Sequence, residues 1–177
     1  MHSLKTEAII IKRKNYGEAD RIITAVTKNH GKIKIIAKGV RKISSKRSPH
    51  IEPLNLSILT LHVGKMLILT EAETLYYHSN LKKDLGKSGS AFFVCELVDG
   101  LLAENQENLQ VYNLLKNTLL DLENAQDERL VISKFEEDIL TLLGFWPKER
   151  AFLENPDKFI EGIMEKKIKT KKIFNLV

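Results

Sequence analysis

Apolar and polar positions alternate with a period of two across residues 32–38. Ile33, Ile35 and Ala37 fall on one face, and Lys32, Lys34, Ile36 and Lys38 on the other. This predicts a half-buried strand with same-face lysines about 6.6 Å apart, a spacing suited to a phosphate chain. Similar runs flank it. Residues 4–14, centred on Ala8, Ile9, Ile10 and Ile11, and residues 21–27, rich in β-branched side chains, predict two earlier strands with a turn at 15–20. Asn29, His30 and Gly31 form a hairpin signal, and residues 40–49 read as a basic, flexible loop. Residues 54–63 and 66–75 supply a fourth and a fifth strand around a turn at Gly64 and Lys65. The fourth shows a slip in alternation between Ile58 and Leu59, as a β-bulge causes. Five short strands with no helical pattern between them predict a small closed barrel of the OB type.

The period changes near Asn80. Ala91, Val94, Cys95, Val98 and Leu101 follow helical spacing, as do Tyr112, Leu115, Leu119 and Leu122, and then Val131, Phe135, Ile139 and Leu142. Asp127 is placed to cap the third of these helices, and Gly144 and Pro147 to stop it. Pro156 suits the first turn of a fourth helix. The basic run at 166–172 is expected to fray. The expected class is therefore α+β: an OB-fold barrel over residues 1–79, followed by an all-α helical domain over residues 80–177.

Charge divides along the same line. Of 177 residues with a formal net charge of +5, residues 1–79 carry 14 Lys and Arg against 6 Asp and Glu, whereas residues 80–160 carry 9 against 15. A basic barrel joined to an acidic middle points to one part that meets a polyanion and another that does not. The candidate nucleic-acid face comprises Lys12, Arg13, Lys14, Arg21, Lys32, Lys34, Lys38, Arg41, Lys42, Lys46 and Arg47. Tyr16 beside it can stack on a base or pack locally. The competing reading of these cations is a solvated surface, and the same cations also serve an RNA-binding barrel or a scaffold that docks an acidic protein.

Catalysis finds no support. The five histidines are scattered, away from metal-ligand spacing. Cys95, the single cysteine, lies on an apolar helical face as an inert thiol, and no disulfide or multi-cysteine zinc site is expected. Glu136, Glu137 and Asp138 point in different directions on a helix and read as a solvated face. Gly86, Lys87 and Ser88 lack the upstream glycine of a phosphate loop. Phe92, Phe93, Tyr112 and Phe135 line either the helical core or a groove for a partner peptide, with core favoured for most. No apolar run approaches the ~18 residues of a membrane span, and the amino terminus lacks the layout of a secretory signal; a cytoplasmic protein is expected.

Glu7-Ala8-Ile9-Ile10-Ile11-Lys12-Arg13, Tyr16-Gly17-Glu18-Ala19-Asp20-Arg21-Ile22, His30-Gly31-Lys32 and Ala37-Lys38-Gly39-Val40-Arg41 together resemble the amino-terminal signature of the bacterial RecO family. Leu140-Thr141-Leu142-Leu143-Gly144-Phe145-Trp146-Pro147 resembles that family's helix-ending leucine-glycine-phenylalanine-proline element. The resemblance implies an OB-fold followed by a helical domain, binding of single- and double-stranded DNA, and annealing of complementary strands. It implies RecR and the C-terminal tail of the single-stranded-DNA-binding protein SSB as partners, and indirect help to RecA, without ATP-driven catalysis. Arg21, Lys38 and Arg41 sit inside the matched motifs and are carried over as DNA contacts. Many members carry a four-cysteine zinc module after the helix-ending element. No cysteine stands there in this chain and the sequence beyond Pro147 is reduced, so zinc is not expected.

Overall fold

A computed structural model describes residues 2–174. The alternating half of the sequence forms β1 (Ser3–Tyr16), β2 (Asp20–Thr27), β3 (Gly31–Ala37), β4 (Leu56–Val63) and β5 (Leu67–Tyr76). They close in the order β1-β2-β3-β5-β4, with β4 returning to β1. All neighbours are antiparallel except β3 and β5, which pair in parallel through Ile35 opposite Leu67 and Ile36 opposite Ile68. This is an OB-fold barrel. Its interior is filled by alternate residues of every strand, among them Ile10, Ile23, Ile33, Ile35, Leu59 and Leu61, each at most 2 % exposed. Burial of each such side chain contributes about 1.5–3 kcal/mol.

Two departures from simple alternation shape the barrel. The register of β1 against β2 shifts between Ile10 and Lys12, so Ile11 is the extra residue of a bulge. Ile9, Ile10 and Ile11 are all buried, and of these Ile10, with Ala8, belongs to the barrel interior. In β4 the expected slip between Ile58 and Leu59 does not occur: Ser57, Leu59 and Leu61 are buried in strict alternation. The irregularities against β5 lie instead between Leu56 and Ser57 and between Thr60 and Leu61. Ile58 on the outer face had mimicked a slip.

The second half forms α1 (Ser79–Lys83), α2 (Leu85–Leu101), α3 (Leu109–Asn124), α4 (Glu128–Leu142), α5 (Asp157–Met164) and α6 (Thr170–Phe174). Compact units comprise Met1–Tyr77 with Ala103–Leu109, and His78–Leu102 with Gln110–Val177. In the helical unit α2 is buried nearly all round, from Ser88 to Leu101. Asp84 caps it by accepting from the Lys87 amide at 3.0 Å, and Asp127 caps α4 by accepting from the Arg129 amide at 3.0 Å. Gly144, at φ +78°, ends α4 in the left-handed conformation, and the Phe145 amide donates back to the Leu140 carbonyl at 2.8 Å.

The ends of the helical unit are more ordered than the sequence predicts. Of residues 166–172, expected to fray, Thr170, Lys171 and Lys172 lie in α6, and Glu96 of α2 accepts from the amides of Lys169 and Thr170 and from the Thr170 hydroxyl. Glu123 of α3 does the same for α1, accepting from the amides of Asn80 at 3.1 Å and Leu81 at 3.4 Å. Each short helix therefore has its N-terminus satisfied by a carboxylate from a distant helix.

Candidate nucleic-acid interface

The basic stretch after β3 is tied to the barrel at named points. Gly39 turns the chain at φ +67°, and its amide donates to Asp20 Oδ1 at 2.7 Å. The Arg41 amide donates to the Ala19 carbonyl at 2.9 Å. Arg47 then folds inward: Nη1 donates to the Leu69 carbonyl at 2.7 Å and Nη2 to the Lys38 carbonyl at 2.8 Å. A 3-10 turn, Ser48–Ile51, takes up the last two residues of the loop expected over 40–49. These ties leave an open cleft of about 840 Å³ with Lys38, Lys42, Lys46 and Arg47 in its wall, together with Glu18 and Asp20. Lys38, Lys42 and Lys46 are exposed. A cleft this open, walled by lysines, accepts a backbone phosphate more readily than it encloses a base.

The strand register extends this surface. On the outer face Lys12 lies opposite Thr24, which lies opposite Lys34; Lys14 lies opposite Ile22, which lies opposite Ile36. Lys12, Lys14 and Lys34 are exposed. Tyr16, at the end of β1, is 53 % exposed, and beside it Arg41 Nη1 donates to the Gly17 carbonyl at 3.2 Å. The structure thus gathers Lys12, Lys14 and Lys34 on one three-strand face and Lys38, Arg41, Lys42 and Lys46 in the loop that follows it.

Four other candidate residues have different surroundings. Lys32 is only 5 % exposed, so the expected row of exposed lysines along β3 loses its first member. The segment Ala103–Leu109 lies against it, with the Asn105 amide donating to the Lys32 carbonyl at 2.8 Å. Arg13 is ion-paired to Glu52. Arg21, with its side chain 16 % exposed, lies 3.4 Å from the same carboxylate and from Ser48 Oγ. Arg47 spends its guanidinium on two backbone carbonyls. Their charges contribute to the field at the surface, but the guanidinium donors of Arg13, Arg21 and Arg47 are engaged with Glu52, Ser48 and the carbonyls of Leu69 and Lys38. Glu52 and Glu104, the latter ion-paired to Lys34, were missed in the sequence. Each lies at least 31 positions from the cations it meets, and no local spacing reports such pairs.

In the helical unit Phe93, Tyr112 and Phe135 are buried core residues, and Phe92 is half-buried. Cys95 is 3 % exposed, and burial pushes its thiol up to about 12, far from a nucleophilic thiolate. His78 is buried against Glu123 at 3.3 Å, with desolvation holding its pKa below the ordinary value against the pull of that carboxylate. Glu136 corrects the expectation of a solvated acidic face. It is 4 % exposed, its Oε1 has no hydrogen-bond partner, and desolvation pushes its pKa up to about 7 although Lys171 Nζ lies 3.9 Å away. Lys171 also contacts Asp157 at 2.6 Å and sits 4.8 Å from the centroid of the Phe93 ring.

Comparison with known proteins matches residues 1–78 to the family described as recombination protein O N terminal, and residues 82–151 to recombination protein O C terminal. A protein of Dehalococcoides mccartyi named DNA repair protein RecO is 37 % identical over 150 residues, covering 84 % of this chain and 59 % of its own length. One of the same name from a Roseiflexus species is 37 % identical over 145 residues, covering 81 % of this chain and 51 % of its own. Another, from a Thermoanaerobacter species, is 33 % identical over 150 residues, covering 84 % and 60 %. The chain therefore spans between half and three-fifths of the length of these curated relatives.

Proposed function

The chain belongs to the RecO family, and from that premise we propose that it is a non-catalytic, cytoplasmic mediator of DNA repair and homologous recombination. The barrel binds single- and double-stranded DNA through phosphates, at the lysine-walled cleft and the adjoining outer face of β1, β2 and β3. Lysines that neutralise two strands at once lower the repulsion between them, which favours annealing of complementary strands. With RecR, and through the C-terminal tail of SSB, the protein helps RecA replace SSB on single-stranded DNA. The observation that carries this reading is the convergence of Lys38, Lys42 and Lys46 on one open cleft, in the barrel that matches the family's amino-terminal domain.

Annealing of two complementary strands, each coated with SSB, tests the proposal. The protein is expected to accelerate annealing, with the effect fading as salt rises. Reversal of Lys38, Lys42 and Lys46 to glutamate is expected to abolish most of the acceleration. No acceleration by folded protein would overturn the mediator reading. In a parallel competition, preference for RNA over a DNA oligonucleotide of matched sequence would move the assignment to RNA handling.

A further inference from the structure

We propose that Glu104 is an internal counter-anion that competes with nucleic-acid phosphate for Lys34. The inference rests on the reading of the barrel as a nucleic-acid-binding unit and adds how strongly one part of that surface is screened. The segment Ala103–Leu109 carries Glu104 and Glu107 and no Lys or Arg. It is docked on β3 by a parallel bridge between Glu104 and Lys32, and by the Asn105 amide on the Lys32 carbonyl at 2.8 Å. It passes so close over Gly31 that a Cβ there would stand 1.9 Å from the Gln106 carbonyl oxygen. The backbone of the segment is thereby fixed, while the Glu104 carboxylate reaches Lys34 Nζ at the surface.

The exposure of that pair makes it exchangeable. The Lys34 and Glu104 side chains are 56 % and 42 % exposed, so their attraction is screened by water and salt. Lys34 shares a cross-strand row with Lys12 and lies between Lys32 and Lys38 on β3 and its exit. A phosphate chain following the outer face meets Lys34 with its charge already matched, and must replace the carboxylate to use it. Buried pairs resist such exchange; this one does not.

The test uses the full chain and a fluorescent single-stranded DNA oligonucleotide. Glu104→Gln is expected to tighten binding three- to tenfold at low salt. It is also expected to steepen log affinity against log salt by about 0.7, the increment for one further phosphate contact on a single strand. Lys34→Gln is expected to cost more in the Glu104→Gln background than in the wild type. Glu107→Gln makes the same change of net charge on the same segment and is expected to have the smaller effect. Equal gains from both glutamate variants, or an equal cost of Lys34→Gln in both backgrounds, would overturn the inference while leaving DNA binding intact. Absence of binding by wild type and Glu104→Gln alike would overturn the parent reading and this one with it.

Discussion

Arg47 and Lys42 lie five positions apart in one basic loop, yet their side chains differ in role. The Arg47 guanidinium bridges carbonyls of Leu69 and Lys38, whereas Lys42 is exposed in the cleft. Arg47→Ala is expected to lower stability by about 1–3 kcal/mol and to speed amide exchange at Ser45 and His50, which donate within the loop. Arg47→Lys should rescue little, because an ammonium lacks the planar fork that reaches both carbonyls. Unchanged melting and exchange in Arg47→Ala would show the loop to be held by other means. Glu136 gives a prediction of opposite sign. Its folded pKa, near 7, lies above the ordinary carboxylate value of 4.5, so the native state holds a proton that the unfolded chain has lost between those pH values. Stability attributable to this group therefore falls as pH rises from about 4.5 to about 7, by a total on the order of 3 kcal/mol. Glu136→Gln should raise the melting temperature more at pH 8 than at pH 5, and a gain independent of pH would contradict the assignment. Neither side chain was legible from its neighbours. Arg47 and Glu136 look like ordinary surface charges in the sequence, and only contacts from distant residues draw them inward.

Strands and long helices were legible because their apolar period is repeated over many residues. The five strands, the cap at Asp127 and the stop at Gly144 follow from local rules that the fold did not override, while Pro156, expected in the first turn of a helix, stands one position before α5. The short elements were not legible. α1 and α6 each span five residues, too few for a period to show, and both rest on remote carboxylates. Glu96→Ala is expected to fray α6, read as faster exchange at the Lys169 and Thr170 amides, at a cost of about 0.5–2 kcal/mol. Unaltered exchange there would mean that α6 is held by its other contacts. The segment Ala103–Leu109 was also hidden, since it lies between two periodic helices and has no period of its own. Its contact with Gly31 yields a sharp expectation. Gly31→Ala meets both a positive φ of +65° and the Gln106 backbone, and should destabilise the barrel unit by at least about 2 kcal/mol in denaturant unfolding. A neutral result would show that the segment moves aside freely.

At the scale of the molecule, the charge asymmetry of the sequence survives folding but is redistributed. The barrel remains the basic unit, yet Lys32 is buried, Arg13 and Arg21 face Glu52, and Lys34 faces Glu104. The exposed lysines concentrate where Lys38, Lys42 and Lys46 line the cleft, and that is where reversal of charge is informative. Lys32→Glu would place a carboxylate at a buried position, so a loss of binding would report damage to the fold as readily as a lost contact. The measurement that bears most directly on the account is therefore the affinity for single-stranded DNA across a salt series, for wild type and for the Lys38, Lys42 and Lys46 triple reversal to glutamate. The account predicts that log affinity falls linearly with log salt. It further predicts that the triple variant is weaker on every sequence alike, with a slope shallower by about 2, or about 0.7 for each lost phosphate contact. An affinity flat in salt, or a folded triple variant that binds as the wild type does, would contradict it.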